Sequence, residues 1–252
     1  MIELYDVGRT THKSVPGMYE FIVDHAERYV QDLALARQLK EEAAQRELPG
    51  HSILQNLFTE MCRIWVKAYR QGAFPINQRE LVYHDTPGRF EHVKNSGRKI
   101  GVLTSASFDF TKILFDAQFL TLEYNLCRGD DLPTDGDFIH LGTLVDEYLL
   151  GEEIGDKDHP ETFGRLWETR QGDIAAVFDD KVSVCEAAVN GFKMAGGSPQ
   201  IYLVGRNGKY DELRSVLGGR FTTGLRNPAL AERVQALKSR GVVVINSFND
   251  IT

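Results

Sequence analysis

The stretch Ile2-Glu3-Leu4-Tyr5-Asp6-Val7-Gly8-Arg9-Thr10-Thr11 decides the fold: a short apolar run ends on an aspartate and opens into a small polar loop. Four later runs have the same character, at 99–104 (KIGVLT), 174–178 (IAAVF), 200–204 (QIYLV) and 242–246 (VVVIN). They are short, apolar and mostly rich in β-branched residues, which predicts buried strands of a parallel sheet. Val182–Met194 follows the third run and Pro228–Arg240 precedes the last, both with helical spacing. Strands alternating with helices make βαβ units, so the expected fold is α/β: a three-layer, Rossmann-type, doubly wound parallel sheet.

Between the first two strands the pattern changes. Met18, Phe21, Ile22, His25, Ala26, Tyr29 and Leu33 recur at helical intervals, as do Ile53, Leu54, Leu57, Phe58, Met61, Trp65 and Tyr69. Leu48-Pro49-Gly50-His51 separates the two helices and Gln71–Pro75 ends the second. A segment this long exceeds a simple crossover. The expected organisation is a core of 1–13 and 92–252 with an inserted all-helical cap over 14–91. Residues 127–158 read as an acidic, loop-rich region around one short helical pattern at 141–150.

Four features fall near the predicted C-terminal ends of strands, the edge where an open α/β sheet carries its site. They are the loop from Asp6 to Thr11, Ser105 with Ala106, Lys157 within Gly155-Asp156-Lys157-Asp158, and the pair Asp179-Asp180. Taken singly, each has a plain alternative. A strand-end aspartate caps turns, a serine caps helices, and a lysine in an acidic loop is solvated. Their order along the chain points to phosphoryl transfer onto a carboxylate. In that chemistry Asp6 is the nucleophile. Asp6, the Gly8 carbonyl and Asp180, with Asp179 close by, bind a magnesium ion that neutralises charge between nucleophile and phosphate. Ser105 and Lys157 hold phosphate oxygens, with Ala106 and Thr10 completing the substrate-facing set.

These elements resemble the four motifs of the haloacid dehalogenase (HAD) superfamily, and within it the enolase-phosphatases of methionine salvage. Asp6–Thr11 is similar to that family's D-x-E-G-T-T, and Thr104-Ser105-Ala106-Ser107 with Ile113-Leu114-Phe115 to its S-S-G-S and L-L-F. Gly155-Asp156-Lys157 resembles its G-x-K, and Val177–Asp180 with Ala187-Ala188 its last motif. Trp65, Tyr69, Gly72, Tyr83-His84-Asp85 and the tail Val244-Ile245-Asn246-Ser247-Phe248 also resemble its pattern. The resemblance implies a HAD-like core and a magnesium-dependent phosphatase acting through an aspartyl-phosphate on a small phosphorylated metabolite. It departs at Gly8, where the family has a proton-shuttling acid, at Arg9, where it has glycine, and at Phe108–Thr111. Gly8 implies reduced activity. It keeps two further readings open: a weakened HAD-like protein that binds a phosphorylated ligand or partner, and a phosphonate-cleaving enzyme. His12 is an alternative proton source, or a plain linker residue.

Composition narrows the partners. Among 252 residues, 36 acids against 29 bases give a net charge of −7, which argues against a nucleic-acid or membrane-surface footprint. No stretch approaches the ~18 apolar residues of a membrane span. Cys62, Cys127 and Cys185 form no C-x-x-C pair, so neither a disulfide framework nor a zinc site is expected. The expectation is a cytoplasmic protein, monomeric or weakly dimeric. Asp130, Asp131, Asp135 and Asp137 read as a solvated acidic loop, since no complete calcium-ligand pattern follows.

Overall fold

The computed structural model describes residues 1–13, 66–67, 70–71, 81–106, 108–116, 118–120, 138–206, 209–210, 214–215, 222–223 and 227–251. In chain order the described elements are β1 (Ile2–Tyr5), α1 (Thr86–Asn95), β2 (Lys99–Thr104), α2 (Phe108–Phe115), β3 (Gln118–Leu120), β4 (Phe138–His140), α3 (Leu141–Leu144), β5 (Glu147–Leu150) and α4 (Gly151–Ile154). There follow α5 (Pro160–Thr169), β6 (Ile174–Asp179), α6 (Val182–Met194), β7 (Gln200–Val204), β8 (Arg214–Ser215), β9 (Thr222–Thr223), α7 (Pro228–Ser239) and β10 (Val243–Ile245). The main sheet has six strands in the order β10-β7-β6-β1-β2-β5, and every neighbouring pair is parallel. The pairs β3–β4 and β8–β9 are separate antiparallel ladders.

Both faces of the sheet are covered, which is why its strands read as near-continuous apolar runs. On one face Tyr5, Ile100, Val102 and Phe178 pack with Phe90 and Val93 of α1 and with Phe110, Ile113, Leu114 and Phe115 of α2. On the other, Ile2, Leu4, Val177 and Leu203 pack with Phe163 and Leu166 of α5, Val184, Cys185, Ala188 and Phe192 of α6, and Val234 and Leu237 of α7. The three-layer α/β expectation holds. Helices α5 and α6 approach so closely that a Cβ placed on Gly191 would lie 2.1 Å from the Pro160 carbonyl oxygen, so only glycine fits there. The first layer also encloses a charge: buried Glu3 accepts hydrogen bonds from Arg89 at 2.7 Å, from Arg98 at 2.6 Å and from the Tyr5 hydroxyl. A charge so placed is tolerable only because it is fully paired.

The strands expected at 2–5, 99–104 and 200–204 and the helix at 182–194 lie where they were read, and the third strand runs one residue further, to Asp179. The region 141–150 is corrected. Only Leu141–Leu144 is helical; Val145 is extended and Glu147–Leu150 forms the sixth sheet strand, pairing Gly101–Thr104 of β2. Helix α1 runs across the expected boundary between 91 and 92 and packs on the core, and Val66, Leu81 and Val82, also within the expected cap, are buried in the same cluster. Most of the expected cap, 14–91, lies outside the described residues. Residues 11–13 pair with 81–83: the Lys13 amide donates to the Leu81 carbonyl at 2.6 Å and the Tyr83 amide to the Thr11 carbonyl at 3.0 Å. Lys13 and Leu81 thus stand side by side at the edge of the core. Among the described residues, no helix is long and apolar enough to cross a membrane.

Candidate active site

Strand β1 lies between β2 and β6, with the Asp6 amide extending the ladder onto the Phe178 carbonyl at 2.9 Å. Asp6 thus leaves the sheet at its C-terminal edge, beside the end of β6, where Asp179 and Asp180 emerge. Ligand oxygens of Asp6, Asp179 and Asp180 lie within 4.8 Å of one another, and all three residues are buried. Three buried carboxylates this close repel one another unless cations stand among them. Lys157, only 3% exposed, is one: its Nζ donates to Asp6 Oδ1 and, at 2.9 Å, to Asp179 Oδ2. Lys209 is another, donating to both the carboxylate and the carbonyl of Asp180 at 3.0 Å. The Tyr210 hydroxyl also donates to that carbonyl, and Asp179 is oriented by the Lys181 amide at 2.9 Å.

The loop after Asp6 is wound tightly on itself. The Val7 carbonyl accepts from the amides of Thr10, Thr11 and His12 at 3.4, 3.2 and 2.9 Å. This places the Thr10 hydroxyl 3.3 Å from Asp6 Oδ2. Arg9 makes the turn at φ 61°, a left-handed conformation that favours glycine. Gly8 is exposed, and a Cβ placed there would meet no atom within 4 Å, so the position flanking Asp6 is open space.

Burial, reinforced by Asp179 and Asp180 against the opposing Lys157, pushes the Asp6 carboxyl from 3.8 to about 7. Burial alone would lower the Lys157 ammonium, but Asp179 and Asp6 outweigh it and hold its pKa above the usual lysine range. His12 is fully enclosed. Its Nε2 meets the Leu114 carbonyl at 3.0 Å, its Nδ1 meets the Thr11 hydroxyl at 3.0 Å, and burial lowers its pKa from 6.5 to about 4. A carbonyl can only accept, so Nε2 carries the proton and His12 is a neutral core residue.

Asp6, Thr10, Lys157, Asp179 and Asp180 are therefore brought together. Ser105 sits exposed at the end of β2, the neighbouring strand on the same sheet edge, and the buried Ala106 amide donates to Thr104 Oγ1 at 3.1 Å. Sequence reasoning missed Lys209, Tyr210 and Arg206. The signal available was their position: all three directly follow the strand run 200–204, on the same edge.

The donor set fits a small, hard divalent cation. Three carboxylates offer oxygen ligands with a formal charge of −3, and Lys157 and Lys209 only partly balance it. Among known proteins, no family model and no curated sequence matches the chain. Solved structures similar to it include the Unknown transcript 4 protein of Saccharomyces cerevisiae (16% identity, 90% of this chain and 97% of that one, TM-score 0.47). Others are a predicted phosphatase of Clostridium acetobutylicum (13%, 99% and 95%, TM-score 0.47) and CbbY of Rhodobacter sphaeroides in complex with phosphate (16%, 81% and 85%, TM-score 0.45). At these values the likenesses decide neither family nor activity, and the functional reading rests on the side chains of the site.

Proposed function

We propose that the chain is a magnesium-dependent phosphatase of the HAD superfamily, similar to enolase-phosphatase, that hydrolyses a small phosphorylated metabolite through an aspartyl-phosphate. One observation carries this reading: Asp6, Asp179 and Asp180 converge, buried, around the Lys157 ammonium at the C-terminal edge of a parallel sheet. Asp6 attacks phosphorus and displaces the alcohol or enol oxygen of the substrate, and water then hydrolyses the resulting acyl phosphate to inorganic phosphate and the free carboxylate. Asp6, Asp179 and Asp180, with the Gly8 carbonyl, hold the cation, which supplies charge neutralisation on the phosphate oxygens. Lys157 steadies the Asp6 carboxylate and offers its remaining N–H to phosphate, with Ser105 and Ala106 at the next strand end. In this reading the helical cap expected over 14–91, most of it outside the described residues, closes over this edge and excludes water.

A second reading is favoured by Gly8. An acid there protonates the leaving group, and such help is worth about 10²–10⁴-fold. Without it, aryl and enol phosphates leave readily and alkyl phosphates do not, and a chain inert on both is a phosphoryl-ligand binder. The test is turnover of one aryl and one alkyl phosphate, with magnesium or EDTA, by wild type, Asp6→Asn and Gly8→Glu. The expected result is slow magnesium-dependent aryl turnover that Asp6→Asn abolishes. Gly8→Glu raises alkyl turnover by about 10²-fold or more, since the added side chain starts in open space. Full activity in Asp6→Asn sinks the nucleophile assignment. An inert wild type that still binds inorganic phosphate and magnesium replaces the phosphatase reading with the binding one.

A further inference from the structure

Arg206, just beyond β7, is buried to nine-tenths and touches neither the three acids nor Lys157. Its guanidinium carbon lies 4.2 Å from the Tyr83 ring centroid and 4.5 Å from that of Phe248. Two of its nitrogens, Nε and Nη2, donate to a single acceptor, the Thr10 carbonyl, at 3.1 and 2.7 Å. The third, Nη1, donates to Asp85 Oδ2 at 2.5 Å. That carboxylate oxygen also accepts from the Ser247 hydroxyl at 2.6 Å and the Phe248 amide at 2.7 Å. Burial pushes the Asp85 carboxyl up, but Arg206, Ser247 and Phe248 outweigh it and hold its pKa below the ordinary value. Four segments far apart in sequence thus meet at one cation: the loop after Asp6, the returning chain before α1, the loop after β7 and the loop after β10.

The place where this cluster pulls matters more than its size. Thr10 has its carbonyl pinned by Arg206 and its hydroxyl turned to Asp6 Oδ2 at 3.3 Å. That distance is near the outer limit for a hydroxyl bond, so a shift of about half an ångström removes it. We propose that Arg206 is a positioning residue for Asp6: by clamping the Thr10 carbonyl it fixes the 7–11 turn that aims the Asp6 carboxylate, and Asp85 holds the guanidinium in place. The inference rests on the reading of Asp6 as nucleophile and assigns a rate-setting role to a residue that does not reach the reacting atoms. Only arginine has the geometry. A planar fork can bond one carbonyl twice, reach a carboxylate with its third nitrogen and lie between two rings, whereas a lysine ammonium is a point charge.

The experiment compares wild type, Arg206→Lys, Arg206→Met, Thr10→Val and the Arg206→Met/Thr10→Val double variant on p-nitrophenyl phosphate with magnesium. Misaiming a reacting group by about an ångström costs on the order of 10²-fold. Arg206→Met and Thr10→Val are each expected to lose about that much kcat with KM within about threefold, the mark of an interaction that serves the transition state. The double variant is expected to lose no more than the worse single one, because both cut the same link. Arg206→Lys, which keeps charge and bulk, is expected to lose at least about tenfold in kcat; if Arg206→Met does not fold, this variant carries the test. Unchanged kcat in folded Arg206→Lys, losses that multiply in the double variant, or an effect confined to KM overturns the proposal. A second readout is independent of turnover: amide hydrogen exchange over residues 6–13 is expected to quicken about tenfold or more in Arg206→Lys, with 174–179 unchanged. Equal exchange in the two chains overturns the clamp. If wild type shows no Asp6-dependent turnover, the phosphatase reading falls by itself and the exchange comparison decides the clamp.

Discussion

Replacing Lys157 by methionine removes a charge and leaves most of the bulk, so it isolates what the ammonium does. The wild-type Nζ stands 2.9 Å from Asp179 Oδ2 and bonds Asp6 Oδ1, with Asp180 alongside. At an effective dielectric of about 20, each unit pair at such separations attracts by about 6 kcal/mol, so the gross attraction is on the order of 10 kcal/mol. Desolvating three charges cancels most of this. What the substitution exposes is the cost of leaving buried carboxylates unpaired, about 3–5 kcal/mol. The chain has one escape: Asp6, already pushed up to about 7, can take a proton. The sign follows from its direction. A carboxyl whose folded pKa exceeds its unfolded value keeps protons on folding, so its contribution to stability falls as pH rises from about 4 to about 7. Without Lys157 that window moves upward. The deficit of Lys157→Met is therefore largest near about pH 8 and shrinks toward about pH 5. Magnesium, binding the freed carboxylates of the folded chain alone, recovers about 2 kcal/mol or more at saturating concentration. The assay is urea unfolding of both chains at the two pH values, in EDTA and in magnesium. A deficit below about 1 kcal/mol in EDTA near pH 8 refutes the charge balance described here. A larger deficit that ignores both pH and magnesium refutes it equally, because lost packing alone would then explain it.

Three further outcomes are expected. His12, lowered by burial from 6.5 to about 4, stabilises the fold above its unfolded pKa and loses that contribution as pH falls through the window, by about 3 kcal/mol in all. His12→Gln should therefore flatten the acid limb of a stability–pH curve, and an unchanged limb refutes the assignment. Gly191→Ala drives a methyl into the Pro160 carbonyl and should cost about 3 kcal/mol or more in a denaturant titration, while a loss under about 1 kcal/mol would mean α5 and α6 part easily. Arg9→Gly relieves the φ of 61° and should stabilise the chain by up to about 1 kcal/mol, net of glycine's entropy cost; a loss of that size would show that the Arg9 side chain supports the loop.

The fold was legible wherever burial on two sides wrote an unbroken apolar run, as in KIGVLT or IAAVF. It was illegible at Glu147–Leu150, because Leu141, Leu144, Val145, Tyr148 and Leu149 mimic a helical stripe and the strand lies at the sheet edge, with one end half exposed. What ends the helix is Val145, whose extended backbone no periodicity announces. The acids of the site were legible because strand ends aim at one edge of a parallel sheet. Arg206 and Lys209 were not, since a cation in a glycine-containing loop looks solvated until its acceptors are placed. The Thr10 and Asp180 carbonyls that they bond are backbone atoms, which carry no residue-type signal.

The position of β1 has a consequence for synthesis. Residues 2–5 lie between β2 and β6, yet β6 follows them by roughly 170 residues, which a ribosome adding about 5–20 residues per second delivers after some 10–30 seconds. Until then the early-made IELY strand can gain at most one neighbour, and its other edge stays a bare row of amides and carbonyls, a template for pairing with another chain. Fragments that stop short of Asp179 should therefore aggregate however much of the remaining sequence they carry.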